Sequence, residues 1–157
     1  PHTSNWDFPL GIMAMIAVGI PLGWIGKHSL FRWPTRWLFG GLLGGIPVDR
    51  REKHDFVAQI VARFDERERL FLVMSPEGTR HMTDHWRTGF YWIAMGAKIP
   101  ILLTFYDWRR KELGIGRLFQ PTGDIEADLP EIARFYSDKS GKHPEKVSKI
   151  ALRPQQR

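Results

Sequence analysis

The sequence predicts an α/β fold with a mixed, largely parallel central sheet flanked by helices. Three observations carry that expectation. Apolar positions at helical spacing alternate along the chain with short strand-like runs, the run LFLVM at 70–74 suits a strand buried on both faces, and a late basic turn marks a hairpin. In chain order, residues 7–17 form an apolar helix, and the Gly-Ile-Pro step at 19–21 turns the chain into a strand over 21–27. A second helix spans 34–43, opening on Pro34, whose missing N–H costs nothing in a first turn, and showing Trp37, Leu38 and Leu42 on one side. A short strand follows at 44–48. Residues 54–69 give the clearest helix, with Phe56, Val57, Ile60, Val61 and Phe64 on one face and charges on the other. After the strand at 70–74 come a helix at 86–95, a strand at 99–106, the turn at 108–112, a strand at 113–119, an amphipathic helix at 129–136 and a polar tail from Lys139. No repeat or internal linker is visible, so the 157 residues are expected to form a single domain with a real hydrophobic core.

Composition narrows the chemistry. Lys and Arg number 23 against 17 Asp and Glu, a net charge of +6, which favours an acidic partner: phosphate groups, nucleic acid, anionic lipid or an acidic carrier protein. No cysteine is present, which excludes disulfides, thiolate metal sites and thiol nucleophiles. The charge-free stretch 8–26 has the length of a membrane span, but Pro9, Gly11, Gly19, Pro21 and Gly23 interrupt it. No basic region precedes it, so no secretory signal is visible. Because the first residue directly precedes a functional histidine, the chain is expected to lack its natural N-terminal segment.

Four stretches lie where α/β sheets gather function, at strand ends and in the loops that follow. In PHTSNWD, a histidine before a helix and an aspartate in its first turns can pair, the carboxylate accepting a hydrogen bond from Nδ1–H and leaving Nε2 free as a general base. Alone, His2 and Asp7 fit that reading or a helix cap by Ser4 or Asn5 with an incidental histidine. No nucleophile elbow accompanies them, so the attacking group is most simply a substrate hydroxyl. SPEGTR at 75–80 offers a glycine that lets backbone approach a ligand, a threonine hydroxyl, and Arg80, whose planar fork suits phosphate; a turn with a surface arginine fits equally. IPVDRR at 46–51 sets Asp49 beside Arg50, aiming the arginine at a phosphate or capping a loop. The fourth stretch, 27–32, begins with Lys27.

Together these motifs resemble the glycerolipid acyltransferase family, which includes the 1-acylglycerol-3-phosphate O-acyltransferases. HTSNWD at 2–7 is similar to the family's H-x4-D motif, and GKHSLFRWP at 26–34, GGIPVDRR at 44–51, PEGTR at 76–80 and KIPILL at 98–103 follow in family order. The stretch 107–124 also looks like the small bacterial members. The resemblance implies that His2 deprotonates the acceptor hydroxyl while Asp7 orients the imidazole, with direct attack on the thioester and no acyl-enzyme. It further implies that Lys27, Arg50, Glu77, Gly78, Thr79, Arg80 and Pro100 serve substrate binding, Arg80 as phosphate ligand, and that no cofactor or metal is needed. The implied partners are acyl-CoA or acyl-acyl carrier protein, a lysophospholipid acceptor and a membrane surface, met peripherally or monotopically on the cytoplasmic face of the inner membrane. Two positions depart from the family pattern: His81 replaces the usual serine after EGTR, and Leu103 stands where a second proline is usual.

Other features have plainer readings beside sharper ones. His81, Asp84 and His85 form H-x-x-D-H, near a zinc-protease pattern, but a third ligand and a catalytic glutamate are not evident. His28, His54 and His143 read as surface or cap residues. FRWPTRWLF at 31–39 fits core packing or a membrane-interface belt, and Arg109, Arg110 and Lys111 fit a solvated hairpin tip or a dock for an acidic carrier protein. A nucleic-acid module lacks any supporting motif, so no nucleic acid is expected. A different lipid acceptor, or a non-catalytic lipid-surface module, is the alternative to phospholipid synthesis.

Overall fold

The computed structural model describes residues 1–20, 22–27, 32–34, 37–42, 45–48 and 56–154. The backbone falls into two compact units, one of Pro1–Leu10 with Ser75–Arg157, the other of Gly11–Met74. Helix α1, Asp7–Ala17, belongs to both and matches its expected span. The α/β class holds, with parallel and antiparallel ladders in two separate sheets among the described residues.

In the Gly11–Met74 unit, β1 (Leu22–Lys27) is the central strand of a parallel sheet ordered β2-β1-β3, with β2 at Gly45–Val48 and β3 at Phe71–Val73. The register sets Trp24 opposite Gly45 on one side and Val73 on the other. A π-helical segment, Trp37–Leu42, takes the place of the expected second helix. Helix α2, Phe56–Asp65, stops four residues early, because the charged run after it has no apolar face to bury and Arg67 N–H closes a tighter turn on Phe64 O. Trp24, Ile46 and Ile60 are buried. The expectation that the strand at 70–74 is buried on both faces is corrected: β3 pairs with β1 alone among the described residues, and Phe71 and Val73 are exposed. An apolar run cannot by itself distinguish a central strand from an edge.

The other unit is built on the antiparallel hairpin of β4 (Ile101–Asp107) and β5 (Glu112–Phe119), packed by α4 (Ile125–Tyr136) and preceded by α3 (Gly89–Ala97). Leu103 and Phe119 from the hairpin meet Leu129 and Ile132 from α4, with Trp86, Phe135 and Tyr136 around them. Trp86 meets Tyr136 edge-on at 5.6 Å between ring centroids, the geometry that the ring quadrupoles favour.

The starts of α3 and α4 differ from the expected ones, one through contacts distant in sequence and the other through an unread cap. α3 starts at Gly89, because the amides of Trp86 and Arg87 donate instead to Ala151 O (3.0 Å) and Pro76 O (2.8 Å). α4 starts four residues early, at Ile125, capped by Asp124, whose carboxylate accepts from the amides of Glu126 and Ala127; Pro130 lies inside the helix and does not open it. The hairpin tip at 109–111 is exposed, as the solvated-tip reading expects, and Arg110 is also anchored to Asp107 at 2.7 Å and to Asp138 at 3.1 Å. Burial pushes the Asp107 carboxyl up, but the Arg110 contacts outweigh it and hold it below the usual carboxylate range.

The segment from Lys139 is polar yet structural. Trp108 N–H donates to Ser140 O, Lys149 N–H donates to Thr83 O, and Ile150 and Leu152 pack on the core. A short 3₁₀ turn, Pro144–Lys146, shapes it. Because Ile132 is fully enclosed, Ile132→Ala is expected to cost about 2–5 kcal/mol in urea unfolding; an unchanged midpoint would contradict this account of the core.

Candidate active site

The start of α1 explains why His2 and Asp7 meet. Ser4 Oγ accepts from Trp6 N–H at 3.2 Å, and the Asp7 carboxylate reaches back to Ser4 N–H at 3.0 Å, a reciprocal cap of the capping-box kind. The two readings of this stretch are therefore compatible: the cap is what turns the carboxylate toward the imidazole. Asp7 Oδ2 accepts from His2 Nδ1, Thr3 N–H and Ser4 N–H, each at 3.0 Å. Its other oxygen accepts from the Trp108 indole at 2.9 Å. The Asp7 side chain is 1 % exposed.

Electrostatics follow from this crowd of donors. Burial pushes the Asp7 carboxyl up, but the bonds from His2, the Ser4 amide and Trp108 outweigh it, so the group sits below the ordinary carboxylate range. An ionised, acceptor-only Asp7 assigns the ring proton to Nδ1 and leaves the Nε2 lone pair available. Tyr106 O–H donates to the Asp7 carbonyl at 2.6 Å. Burial, and then the Asp7 charge, push that phenol up to about 12, so it remains a donor across the neutral range.

The PEGTR loop joins the same group. Glu77 is buried, and its Oε1 accepts from the backbone N–H of His2 at 3.1 Å while Oε2 accepts from Ser75 Oγ. The resemblance implies a role for Glu77 at the acceptor; in the fold its two oxygens each accept from a protein donor, and the carboxylate fixes the main chain at His2. Gly78 sits at φ +65°, a backbone conformation that disfavours any side chain there. Thr79 Oγ1 accepts from His81 N–H at 3.3 Å, holding the loop. Arg80 is exposed and lines a cavity of about 460 Å³ with Thr3, Ser4, Asn5, Trp6, His81, Lys142, His143 and Lys146.

Not every anticipated residue comes to this place. Pro100 precedes β4, while Trp108 follows its far end; seven strand residues at about 3.3 Å each separate them by roughly 20 Å. Pro100 is thus away from the His2–Asp7 pair. Lys27 ends β1 opposite Val48, with only its backbone described, and Arg50 lies outside the described residues, as do Asp49, His28 and His54. His85 Nδ1 pairs with its neighbour Asp84, and no group of three or more metal-ligating side chains occurs among the described residues.

Sequence reasoning missed Trp108, Tyr106 and the C-terminal segment. The indole of Trp108 was read only as part of a turn, although a tryptophan N–H needs a partner when half-buried. Gly141 lets the later segment approach closely: a Cβ there would stand 2.7 Å from Thr3 Oγ1, the atom that accepts from His143 N–H at 3.1 Å. Lys142 Nζ lies 4.8 Å from the Trp108 ring centroid and 5.7 Å from that of Trp6.

The structure thus holds a histidine against a buried carboxylate, and the turn that follows that histidine lines a cavity rich in cations. The acyltransferase family model matches residues 1–104, about two thirds of the chain, including His2, Asp7 and the PEGTR loop. The chain belongs to the acyltransferase family. Among curated proteins and among solved structures no match was found. Family membership makes this an O-acyltransferase-type enzyme whose substrates are an acyl donor and a lipid acceptor. Trp108 and Lys142, which touch the site, lie beyond the matched residues in this acyltransferase.

The lowered Asp7 pKa has a consequence for stability. A carboxyl whose folded pKa is depressed contributes stability above its unfolded value, near 3.9, and loses that contribution as pH falls through the folded value. The wild-type urea midpoint should therefore fall more steeply between about pH 4 and pH 2 than that of Asp7→Asn. Parallel acid limbs for the two proteins would show that Asp7 gains nothing from its donors.

Proposed function

We propose that this acyltransferase moves a fatty acyl group from acyl-CoA or acyl-acyl carrier protein to the free hydroxyl of a lysophospholipid, with 1-acylglycerol-3-phosphate the acceptor that fits best, in phospholipid synthesis. The observation that carries the reading is the 3.0 Å bond between His2 Nδ1 and the buried Asp7, which makes Nε2 the basic nitrogen. His2 Nε2 takes the acceptor's hydroxyl proton as the oxygen attacks the thioester carbonyl. The tetrahedral adduct collapses, the C–S bond breaks, and the thiolate leaves and recovers the proton from Nε2. Asp7 stabilises the imidazolium between the two transfers. No acyl-enzyme is required, and Arg80 is suited to a phosphate on the acceptor.

The acceptor lives in a bilayer, and we place the enzyme at the membrane surface, on the cytoplasmic face of the inner membrane. Trp33 and Trp37 support this: they are 91 % and 69 % exposed, which disfavours core packing for that stretch and suits a headgroup layer. No helix among the described residues is long and apolar enough to cross a membrane.

Acyl transfer from labelled acyl-CoA and acyl-acyl carrier protein to a panel of lysophospholipids tests the reading. His2→Ala is expected to reduce turnover by about 10²–10⁴-fold while the variant stays folded by circular dichroism. Wild-type transfer that survives His2→Ala undiminished would remove His2 from the mechanism; transfer only to a non-phosphorylated acceptor would replace the proposed substrate.

A further inference from the structure

The cavity beside the His2–Asp7 pair is more cationic than Arg80 alone accounts for. Five of its nine lining residues are Arg80, His81, Lys142, His143 and Lys146, and none is acidic. Among the described residues, Arg80, Lys142 and Lys146 have no carboxylate within ion-pair distance, whereas Arg110, Arg117 and Lys139 are each paired. His143 meets Glu145 at 3.7 Å, but Arg80, Lys142 and Lys146 gather around one concave space without such a partner among the described residues, and like charges so placed mark a place for an anion.

The two lysines are positioned by structure. His143 N–H anchors their segment to Thr3 Oγ1, and Thr3 N–H in turn binds Asp7. The ammonium of Lys142 is braced against the rings of Trp108 and Trp6, and Lys146 is carried by the Pro144–Lys146 turn. Thr3 to Trp6, which line the cavity, form the same turn that holds the carboxylate, so an anion bound here lies against the turn that follows His2.

We propose that Lys142 and Lys146 join Arg80 to make this cavity a phosphate-binding site, with the C-terminal segment completing it from outside the family-matched residues. The naming of its ligand as a substrate phosphate rests on the acyl-transfer reading; the site itself rests on the cavity. Such a phosphate is carried either by the acceptor, as a phosphomonoester, or by the donor, on coenzyme A or the carrier's phosphopantetheine. Arginine and lysine share the work: the guanidinium fork fixes the orientation of the phosphate, and the two ammonium groups supply charge.

The test uses the full chain and the double variant Lys142→Gln/Lys146→Gln, with Lys149→Gln/Arg153→Gln, two exposed cations that do not line the cavity, as a control for net charge. Binding of glycerol 3-phosphate and of coenzyme A is followed by titration calorimetry, and KM is measured separately for 1-acylglycerol-3-phosphate and for acyl-CoA. The expected result is a loss on the order of ten-fold in glycerol 3-phosphate affinity, and a similar rise in acceptor KM, in the double variant and not in the control. A matching loss for coenzyme A and donor KM instead supports the phosphate site and assigns it to the donor. Weakened phosphate binding in a protein that performs no acyl transfer keeps the site and sinks the acyl-transfer reading. A folded double variant that binds both probes as wild type does, with neither KM changed, overturns the proposal.

Discussion

One buried carboxylate organises the site. Asp7 stands at the first residue of α1 almost wholly out of water, and a charge so placed is tolerated only when donors replace its hydration. Four do so: the His2 ring, two successive amides, and an indole from 101 residues further along the chain. Satisfying this one group closes the cap of α1, fixes the histidine, and holds the end of the β4–β5 hairpin against the N-terminal turn. Trp108 then offers its ring to Lys142, and the C-terminal segment is drawn to the same place.

This arrangement divides labour among residues that a motif lists side by side. Asp7 holds the imidazole, while Glu77 holds the backbone that carries it. Arg80, two residues after the turn at Gly78, is exposed and lines the cavity. Two carboxylates that look equivalent in sequence thus act on different parts of the same histidine. In the proposed acyl transfer the protein's contribution is mostly preorganisation: the basic nitrogen is set before substrate arrives.

Much of this was legible because it is local. The H-x4-D spacing placed the cap and the pair within one turn, α1 was visible from its apolar run, and the ends of β2 and β5 fell within a residue of their expected positions. What escaped depends on partners far away in sequence. Trp86 and Arg87 read as helix, but their amides are claimed by Ala151 and Pro76. LFLVM has the composition of a central strand and occupies an edge, since composition reports burial only on average. Lys142 and Lys146 were hidden for the same reason: polarity marked the segment from Lys139 as a tail, and long-range bonds to Thr3, Thr83, Trp86 and Trp108 bring it into the fold.

The account's central claim is that Asp7 fixes the histidine with its proton on Nδ1 and its basic lone pair on Nε2. The most direct measurement is a two-bond ¹H–¹⁵N correlation spectrum of the full chain with labelled histidine, resolving the tautomer of the neutral His2 ring. The account predicts the Nδ1–H tautomer in wild type, and its loss in Asp7→Asn. A wild-type His2 that is protonated on Nε2, or that exchanges freely between both forms, would contradict it.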